Sequence, residues 1–191
     1  MKYSPILSVL FLACSVFAVD SAESRLEHRS ASEAYTEPEL GISFPSEAGP
    51  FRKQEVIRSF NPLIGTTIRY ADREGHCADI YIYSLPDAET VSDAVLESHF
   101  QNVKKAILSL PSKGRRVTAS VLRREVPLSV SGKKAGYTAV FRLTFSGSDS
   151  QDSILSMVSV KDRIVKLRMT CEESLAEKFS GAVLPLLAVN P

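Results

Sequence analysis

Residues 153–171 read SILSMVSVKDRIVKLRMTC, and this stretch carries the pattern that decides the fold. Two runs of strand-favouring residues, 153–160 and 164–171, flank the dipeptide Lys161-Asp162. A two-residue connection between two such runs is typical of a β-hairpin. In the second run, apolar side chains alternate with polar ones, which predicts one inward and one outward face. The inward residues are Val165, Leu167, Met169 and Cys171.

Strand patterns upstream extend this hairpin into an antiparallel meander. Residues 137–145 alternate apolar and polar side chains, and residues 117–124 continue after a bend into residues 126–130. Turns at Gly132 and Gly147 separate these runs. Four shorter strand patterns precede the meander. They cover residues 42–44, 55–60, 66–70 and 76–83.

Two helical patterns complete the chain. Apolar residues recur at helical spacing from Val91 to Leu110, and Pro111 ends this first pattern. A second pattern follows Thr170 and is expected to be disturbed at Pro185, because proline lacks the backbone donor that a helix interior needs.

These elements predict an α+β fold with a largely antiparallel sheet of about six or seven strands. One long central helix and one C-terminal helix pack on that sheet. Because each strand has one apolar face, we expect the helices to cover one side of it. A single domain over residues 41–191 accommodates these elements, and its length is sufficient to bury a core.

Three segments of this domain resemble the PsbP-like family. They are GISFP at 41–45, ADIYIY at 78–83 and RIVKLRMTCEES at 163–174. The resemblance covers residues 41 to about 187 and concerns the layout of the elements. It implies an α/β/α sandwich, of the kind used by extrinsic photosystem subunits and non-photosynthetic relatives, and it implies a noncatalytic accessory or binding domain. It transfers no functional residue to this chain.

The N-terminus has the pattern of an export signal. Lys2 precedes an apolar run, Ile6–Ala18, that is shorter than the roughly 20 residues a membrane-spanning helix needs. Residues 1–18 are therefore predicted to be a signal peptide, and the mature protein is predicted to be periplasmic or secreted. An uncleaved membrane anchor is an alternative. Residues 19–40, polar and acidic without a sustained period, are predicted to be a flexible tether.

A second alternative for the N-terminus is a lipoprotein signal that ends before Cys14. The preceding Phe11-Leu12-Ala13 resembles a lipobox, with Phe where Leu is usual. Acylation of Cys14 would anchor the protein to a membrane surface. Membrane contact is predicted only in that case.

The remaining cysteines, Cys77 and Cys171, form an even pair in a chain predicted to reach an oxidising compartment. We interpret them as a candidate disulfide. The alternative is two separate thiols that pack as small apolar side chains. A disulfide needs Cα atoms within about 7 Å of each other, which the sequence does not show.

Searches for chemistry in the sequence yield no catalytic, cofactor-binding or metal-binding residue. His76 and Cys77 are adjacent on a predicted strand, so their side chains point to opposite faces and are poorly placed to share one ion. Nucleophile motifs and glycine-rich phosphate loops are absent from the sequence. His99, within the helical pattern, is interpreted as a residue at the boundary of its apolar face.

One group of residues suggests a binding face. The polar sides of two meander strands present hydroxyl and cationic groups that would form one patch if the strands were neighbours. The six residues are Thr138, Arg142, Thr144, Lys166, Arg168 and Thr170. Tyr81 and Tyr83 would either join this patch or lie under a helix. The alternative is an ordinary solvated sheet face.

Charge and composition set the functional hypothesis. The net charge is +1, so the chain lacks the basic excess with which proteins gather nucleic acids. We favour an exported, noncatalytic binding or accessory module of the cell envelope, without a cofactor, whose partner is a protein or an anionic ligand. The alternatives are an envelope hydrolase with an unrecognised active site and a membrane-tethered structural lipoprotein.

Overall fold

The computed structural model describes residues 26–29, 33–86, 88–113, 116–130, 132–147 and 150–188. The predictions for the signal peptide and for acylation of Cys14 lie outside the described residues.

The described residues form strands and two helices. In chain order the strands are β1 Leu26–Arg29, β2 Tyr35–Glu37, β3 Ile42–Phe44, β4 Glu47–Ala48, β5 Phe51–Ser59, β6 Thr66–Ala71, β7 Cys77–Tyr83, β8 Val117–Val130, β9 Lys133–Phe145, β10 Ser150–Val160 and β11 Arg163–Thr170. The helices are α1 Asp93–Leu108 and α2 Glu173–Ala188. α2 continues through Pro185, which lies in the last turn and removes only the one hydrogen bond that a backbone N–H at this position would donate to the carbonyl four residues earlier. Neither helix is long and apolar enough to cross a membrane.

The main sheet is antiparallel throughout, with the order β1-β5-β6-β7-β11-β10-β9-β8 and with β4 added beside β5. A separate two-stranded sheet contains β2 and β3. The predicted α+β class, with one central and one C-terminal helix, is confirmed. The sheet has more strands than the six or seven predicted, because β1 and β4 were not recognised in the sequence.

The hairpin at Lys161-Asp162 forms as predicted. Val160 pairs with Arg163 across a two-residue turn, and Lys161 and Asp162 adopt positive φ angles of 47° and 59°. Positive φ at both central residues defines the turn that matches the twist of antiparallel strands. The Lys161 ammonium donates to the Leu40 carbonyl at 3.0 Å, and the Asp162 carboxylate accepts from the Val91 backbone at 3.0 Å.

The prediction of a flexible tether over residues 19–40 is wrong for the part of it that the structure describes. β1 pairs with β5, and β2 pairs with β3. Tyr35, Glu37 and Leu40 are buried, and the Tyr35 hydroxyl donates to the Glu37 carboxylate at 2.9 Å. Strands of three or four residues are too short to give a recognisable period, so their sequence reads as polar and irregular.

The two helices lie on opposite faces of the main sheet, as in the α/β/α sandwich that the resemblance implied, and not on one side as the apolar faces of the strands predicted. α2 packs on the cluster that contains Val140, whereas α1 packs on the cluster that contains its neighbours Ala139 and Phe141. Since successive strand residues point to opposite faces, these clusters are on the two sides of the sheet. The central strands are therefore covered on both faces, and every residue from Ser153 to Val158 is buried.

Candidate functional site

The structure divides the six-residue patch predicted from the sequence between the two faces of the sheet. β10 lies between β9 and β11. Its Met157 pairs with Tyr137 on one side and with Lys166 on the other, so these three side chains share the α1 face. By the same register, Thr138 shares the α2 face with Leu167. The prediction of one patch is wrong because β9 and β11 turn their more apolar sides to opposite helices.

The half on the α2 face makes local pairs with β10. Arg142 binds Asp152, with Nε 2.8 Å from Oδ1. The hydroxyls of Thr138 and Ser156 lie 2.9 Å apart, and those of Thr144 and Ser150 lie 2.8 Å apart. These contacts join neighbouring strands. The Arg142 Nε atom is buried and, although close to Asp152 Oδ1, makes no hydrogen bond of good geometry with a described residue.

The half on the α1 face belongs to a larger group that crosses four strands. Glu55 on β5 pairs with Arg69 on β6, Arg69 pairs with Asp79 on β7, and Asp79 pairs with Arg168 on β11. Tyr81 and Lys166 form the adjacent pair on β7 and β11. We call these six residues the central polar row. They are Glu55, Arg69, Asp79, Tyr81, Lys166 and Arg168.

Ionic and aromatic contacts hold the central polar row together. Arg69 lies 2.5 Å from the Glu55 carboxylate through Nη1 and 4.0 Å from the Asp79 carboxylate through Nε. The Tyr81 hydroxyl donates to Asp79 at 3.1 Å. The Lys166 ammonium lies 4.3 Å from the centre of the Tyr81 ring, a distance at which cation–π attraction operates. These contacts hold the side chains of the row in one arrangement.

Arg168 is the most buried guanidinium in this group. Its side chain lies above Phe141, with Cζ 5.8 Å from the ring centre. Burial lowers the pKa of Arg168 to about 10, which leaves it charged at neutral pH. Among the described residues, its Nη1 atom is buried and has no hydrogen-bond partner. A buried donor in this state is a candidate contact for a ligand oxygen.

Asp79 and His99 have pKa values shifted by their surroundings. Burial raises the pKa of Asp79 to about 6, although the Arg69 guanidinium opposes the shift. Burial, with a contribution from Lys166, lowers the pKa of His99 to about 4. His99 is thus neutral at neutral pH, and its Nε2 lies 2.8 Å from the Tyr83 hydroxyl. This contact joins α1 to the strand that carries Asp79 and Tyr81.

Thr170 pairs with Cys77 at the end of the same two strands, and this register separates the two cysteines. Cys77 shares the α1 face with Thr170, whereas Cys171 follows Thr170 and packs in the cluster under α2. Both cysteines are free thiols. The predicted disulfide is therefore absent from the structure, because the two side chains project to opposite faces of the sheet.

His76 lies at the turn before β7 and makes a local ion pair. Its Nδ1 is 2.7 Å from the Asp72 carboxylate, which also accepts from the backbone of Glu74 and of His76. Within the described part of the chain, no three His, Cys, Asp or Glu side chains come together in a way that could hold a metal ion.

Sequence reasoning identified Lys166, Arg168 and the Asp79 face but missed Glu55 and Arg69. Each is a half-buried charged residue on its strand, and each alone looks like an ordinary solvated charge. Their role depends on the strand register, since pairing across β5, β6 and β7 brings them beside Asp79. The residue pattern within one strand does not show which strands become its neighbours.

Comparison with solved structures finds several similar chains. The chain is similar to the solution structure of cyanobacterial PsbP from Synechocystis sp. PCC 6803, with 12% sequence identity and a TM-score of 0.48. The match covers 92% of this chain and 96% of that chain. No protein-family model and no curated protein matches the chain.

Proposed function

We propose that the protein is an exported, noncatalytic binding module of the cell envelope, and that the central polar row is its binding surface. The unpartnered Nη1 of buried Arg168 carries the proposal. A buried donor without a partner costs about 1–3 kcal/mol, and a ligand oxygen that accepted from it would remove that cost. Carboxylates and phosphates form the strongest such bonds to arginine, so the ligand is an anionic molecule or an acidic partner protein.

The charge of the row supports an anionic ligand. The cations Arg69, Lys166 and Arg168 face the carboxylates of Glu55 and Asp79. Because the pKa of Asp79 is raised to about 6, one of these two negative charges is weakened in mildly acidic surroundings. The surplus of positive charge on the row therefore grows as the pH falls toward 6.

The shape of the surface supports a docking role. Side-chain exposure increases along the row, from buried Arg168 through Asp79 to Arg69 and Glu55, which are 27% and 34% exposed. Cavities of about 60 and 550 Å³ lie elsewhere, and no residue of the central polar row lines either of them. A face of graded exposure suits contact with a partner's surface, whereas an envelope hydrolase would use a concave pocket around its reacting groups.

Export is supported by the N-terminal sequence. Residues 1–18 have the charge and apolar run of a signal peptide, which would deliver the domain to the periplasm or the medium. Acylation of Cys14 would instead hold the same domain on a membrane. Both routes place the central polar row outside the cytosol.

Titration with a defined anionic peptide tests the proposed surface. We expect octaglutamate, followed by calorimetry at low salt, to bind the protein and octaglutamine not to bind. Arg168→Met and Arg69→Gln should each weaken octaglutamate binding about tenfold or more, as expected for loss of a charge-assisted contact. The matched control is Arg142→Met, which removes an arginine from the opposite face.

Thermal melting of each variant shows whether it is folded. Equal weakening by Arg142→Met would mean that the peptide responds to net charge and not to the row. Undiminished binding by folded Arg168→Met and Arg69→Gln variants would contradict the proposal.

A further inference from the structure

The loop between β5 and β6 exposes three large apolar side chains. Phe60, Leu63 and Ile64 are 57%, 43% and 52% exposed. Among the described residues, the other exposed large apolar side chains are Val121 and Val126, which lie on the edge strand β8. Apolar exposure is thus concentrated on one short loop, and such a patch marks an interaction site. We call residues Phe60–Gly65 the apolar loop.

Hydrogen bonds pair several backbone groups of the apolar loop. Gly65 and Ile64 donate to the Asn61 carbonyl at 2.9 and 3.0 Å, and Leu63 donates to the Asn61 side chain at 3.0 Å. Ser59 donates to the Gly65 carbonyl at 2.9 Å. Burial of unpaired backbone groups in an apolar phase is costly, and these bonds lower that cost for the loop.

The apolar loop is also fixed against the sheet. The backbone of Ser84 donates to the Pro62 carbonyl at 2.8 Å. Gly65 has a φ of +66°, and a Cβ at this position would lie 1.9 Å from the Ile82 carbonyl oxygen. Only glycine combines that backbone angle with so close an approach. The loop therefore presents Phe60, Leu63 and Ile64 on a rigid support.

The chain enters the described structure beside this loop. Leu26, the first residue of β1, pairs with Ser59, and β1 then runs away from the loop along β5. Residues 1–25 therefore join the domain at the end that carries the apolar loop. Residues 19–25 separate Leu26 from the apolar run Ile6–Ala18 and can span at most about 25 Å. A membrane that held residues 6–18 or an acylated Cys14 would lie within reach of the loop.

We propose that the apolar loop is a membrane-contact element that inserts Phe60, Leu63 and Ile64 into the interface of the bilayer beside the N-terminal segment. Apolar side chains of this kind bury at the boundary of head groups and acyl chains. The Arg58 guanidinium lies 5.6 Å from the centre of the Phe60 ring, where it would meet lipid phosphates as the ring inserts. The inference rests on the proposed function for export, and it concerns the form of the protein that keeps residues 6–18 in the membrane or carries an acylated Cys14.

The absence of tryptophan from the sequence makes a direct test available. Phe60→Trp introduces a single fluorescent reporter in the loop, and Val121→Trp, at a site 55% exposed on β8, is the matched control. Each full-length variant is mixed with vesicles of phosphatidylethanolamine and phosphatidylglycerol whose acyl chains are brominated. We expect a blue shift and at least twofold quenching for Phe60→Trp, and an unchanged spectrum for Val121→Trp.

Further variants identify the cause of the signal. Leu63→Glu with Ile64→Glu, added to Phe60→Trp, should abolish the quenching while thermal melting shows a folded domain. Unquenched Phe60→Trp, or equal quenching of both reporters, would overturn the proposal. A concentration-dependent blue shift without vesicles would also overturn it, because it would identify a second copy of the chain as the occupant. None of these results depends on peptide binding at the central polar row.

Discussion

Asp79 and His99 oppose each other in the dependence of stability on pH. Burial raises the pKa of Asp79 to about 6, so the folded state binds this proton more tightly than the unfolded state between about pH 4 and 6. Its contribution to stability therefore decreases as the pH rises through that window. Burial lowers the pKa of His99 to about 4, so the unfolded state binds this proton more tightly between about pH 4 and 6.5. Its contribution increases with pH.

Substitutions at these two residues should reveal the opposed effects. Relative to the unchanged protein, Asp79→Asn should gain stability as the pH rises from 4 to 6, since the penalty for ionising the buried carboxyl is gone. His99→Gln should lose relative stability over the same range. Each difference should be on the order of 2–3 kcal/mol, from shifts of about two pKa units. Urea unfolding at half-unit pH steps measures both.

Parallel pH profiles for the three proteins would contradict this account. The Tyr83→Phe variant is a useful control, because it removes the hydroxyl that contacts His99 and leaves both titrating groups in place. Its profile should keep the shape of the unchanged protein, with a uniform loss of stability.

At the scale of elements, the sequence predicted strands and helices well and their partners poorly. The strands β5 to β11 and both helices were recognised, because apolar residues recur at periods that reflect local backbone geometry. The prediction put the more apolar sides of β9 and β11 on the same face of the sheet, whereas they lie on opposite faces. β11 is buried on both sides, so polar residues such as Lys166 and Arg168 lie inside, and an alternation of apolar and polar residues no longer separates the solvent side from the core side.

Gly136 lies on β9 where this strand pairs with β10, and its substitution tests that pairing. A Cβ on Gly136 would lie 2.0 Å from the Met157 carbonyl oxygen on β10, so Gly136→Ala must displace backbone. We expect it to cost about 3 kcal/mol or more. The matched control is Gly181→Ala on α2, where a Cβ meets nothing within 4 Å and helix propensity favours alanine by about 1 kcal/mol.

Urea unfolding compares the two glycine variants directly. A Gly136→Ala protein as stable as the unchanged one would mean that β9 does not approach β10 in this register. A destabilised Gly181→Ala protein would mean that this position of α2 is covered.

At the scale of the whole molecule, the sheet couples two cores. Phe179 on α2 contacts Phe51 and Tyr70 in edge-on geometry, with ring centres 5.4 and 5.2 Å apart. Phe100 on α1 stacks with Tyr137 at 5.3 Å on the other face. Residues of β9, β10 and β11 alternate between the two clusters, so the same strands form one wall of each core. The apolar faces of the strands predicted one such wall, because they placed both helices on one side.

Loss of one core should therefore unfold the other. We expect Phe179→Ala to lower the free energy of unfolding by about 3–5 kcal/mol, the usual cost of removing a fully buried phenylalanine ring. Hydrogen exchange measured residue by residue should then show the amides of α1 losing protection in parallel with those of α2, and Phe100→Ala should produce the converse. If α1 kept its full protection in Phe179→Ala, the two faces would unfold independently. The two cores would then not depend on each other for stability although they share strands. Binding at the α1 face would be unaffected by changes around α2.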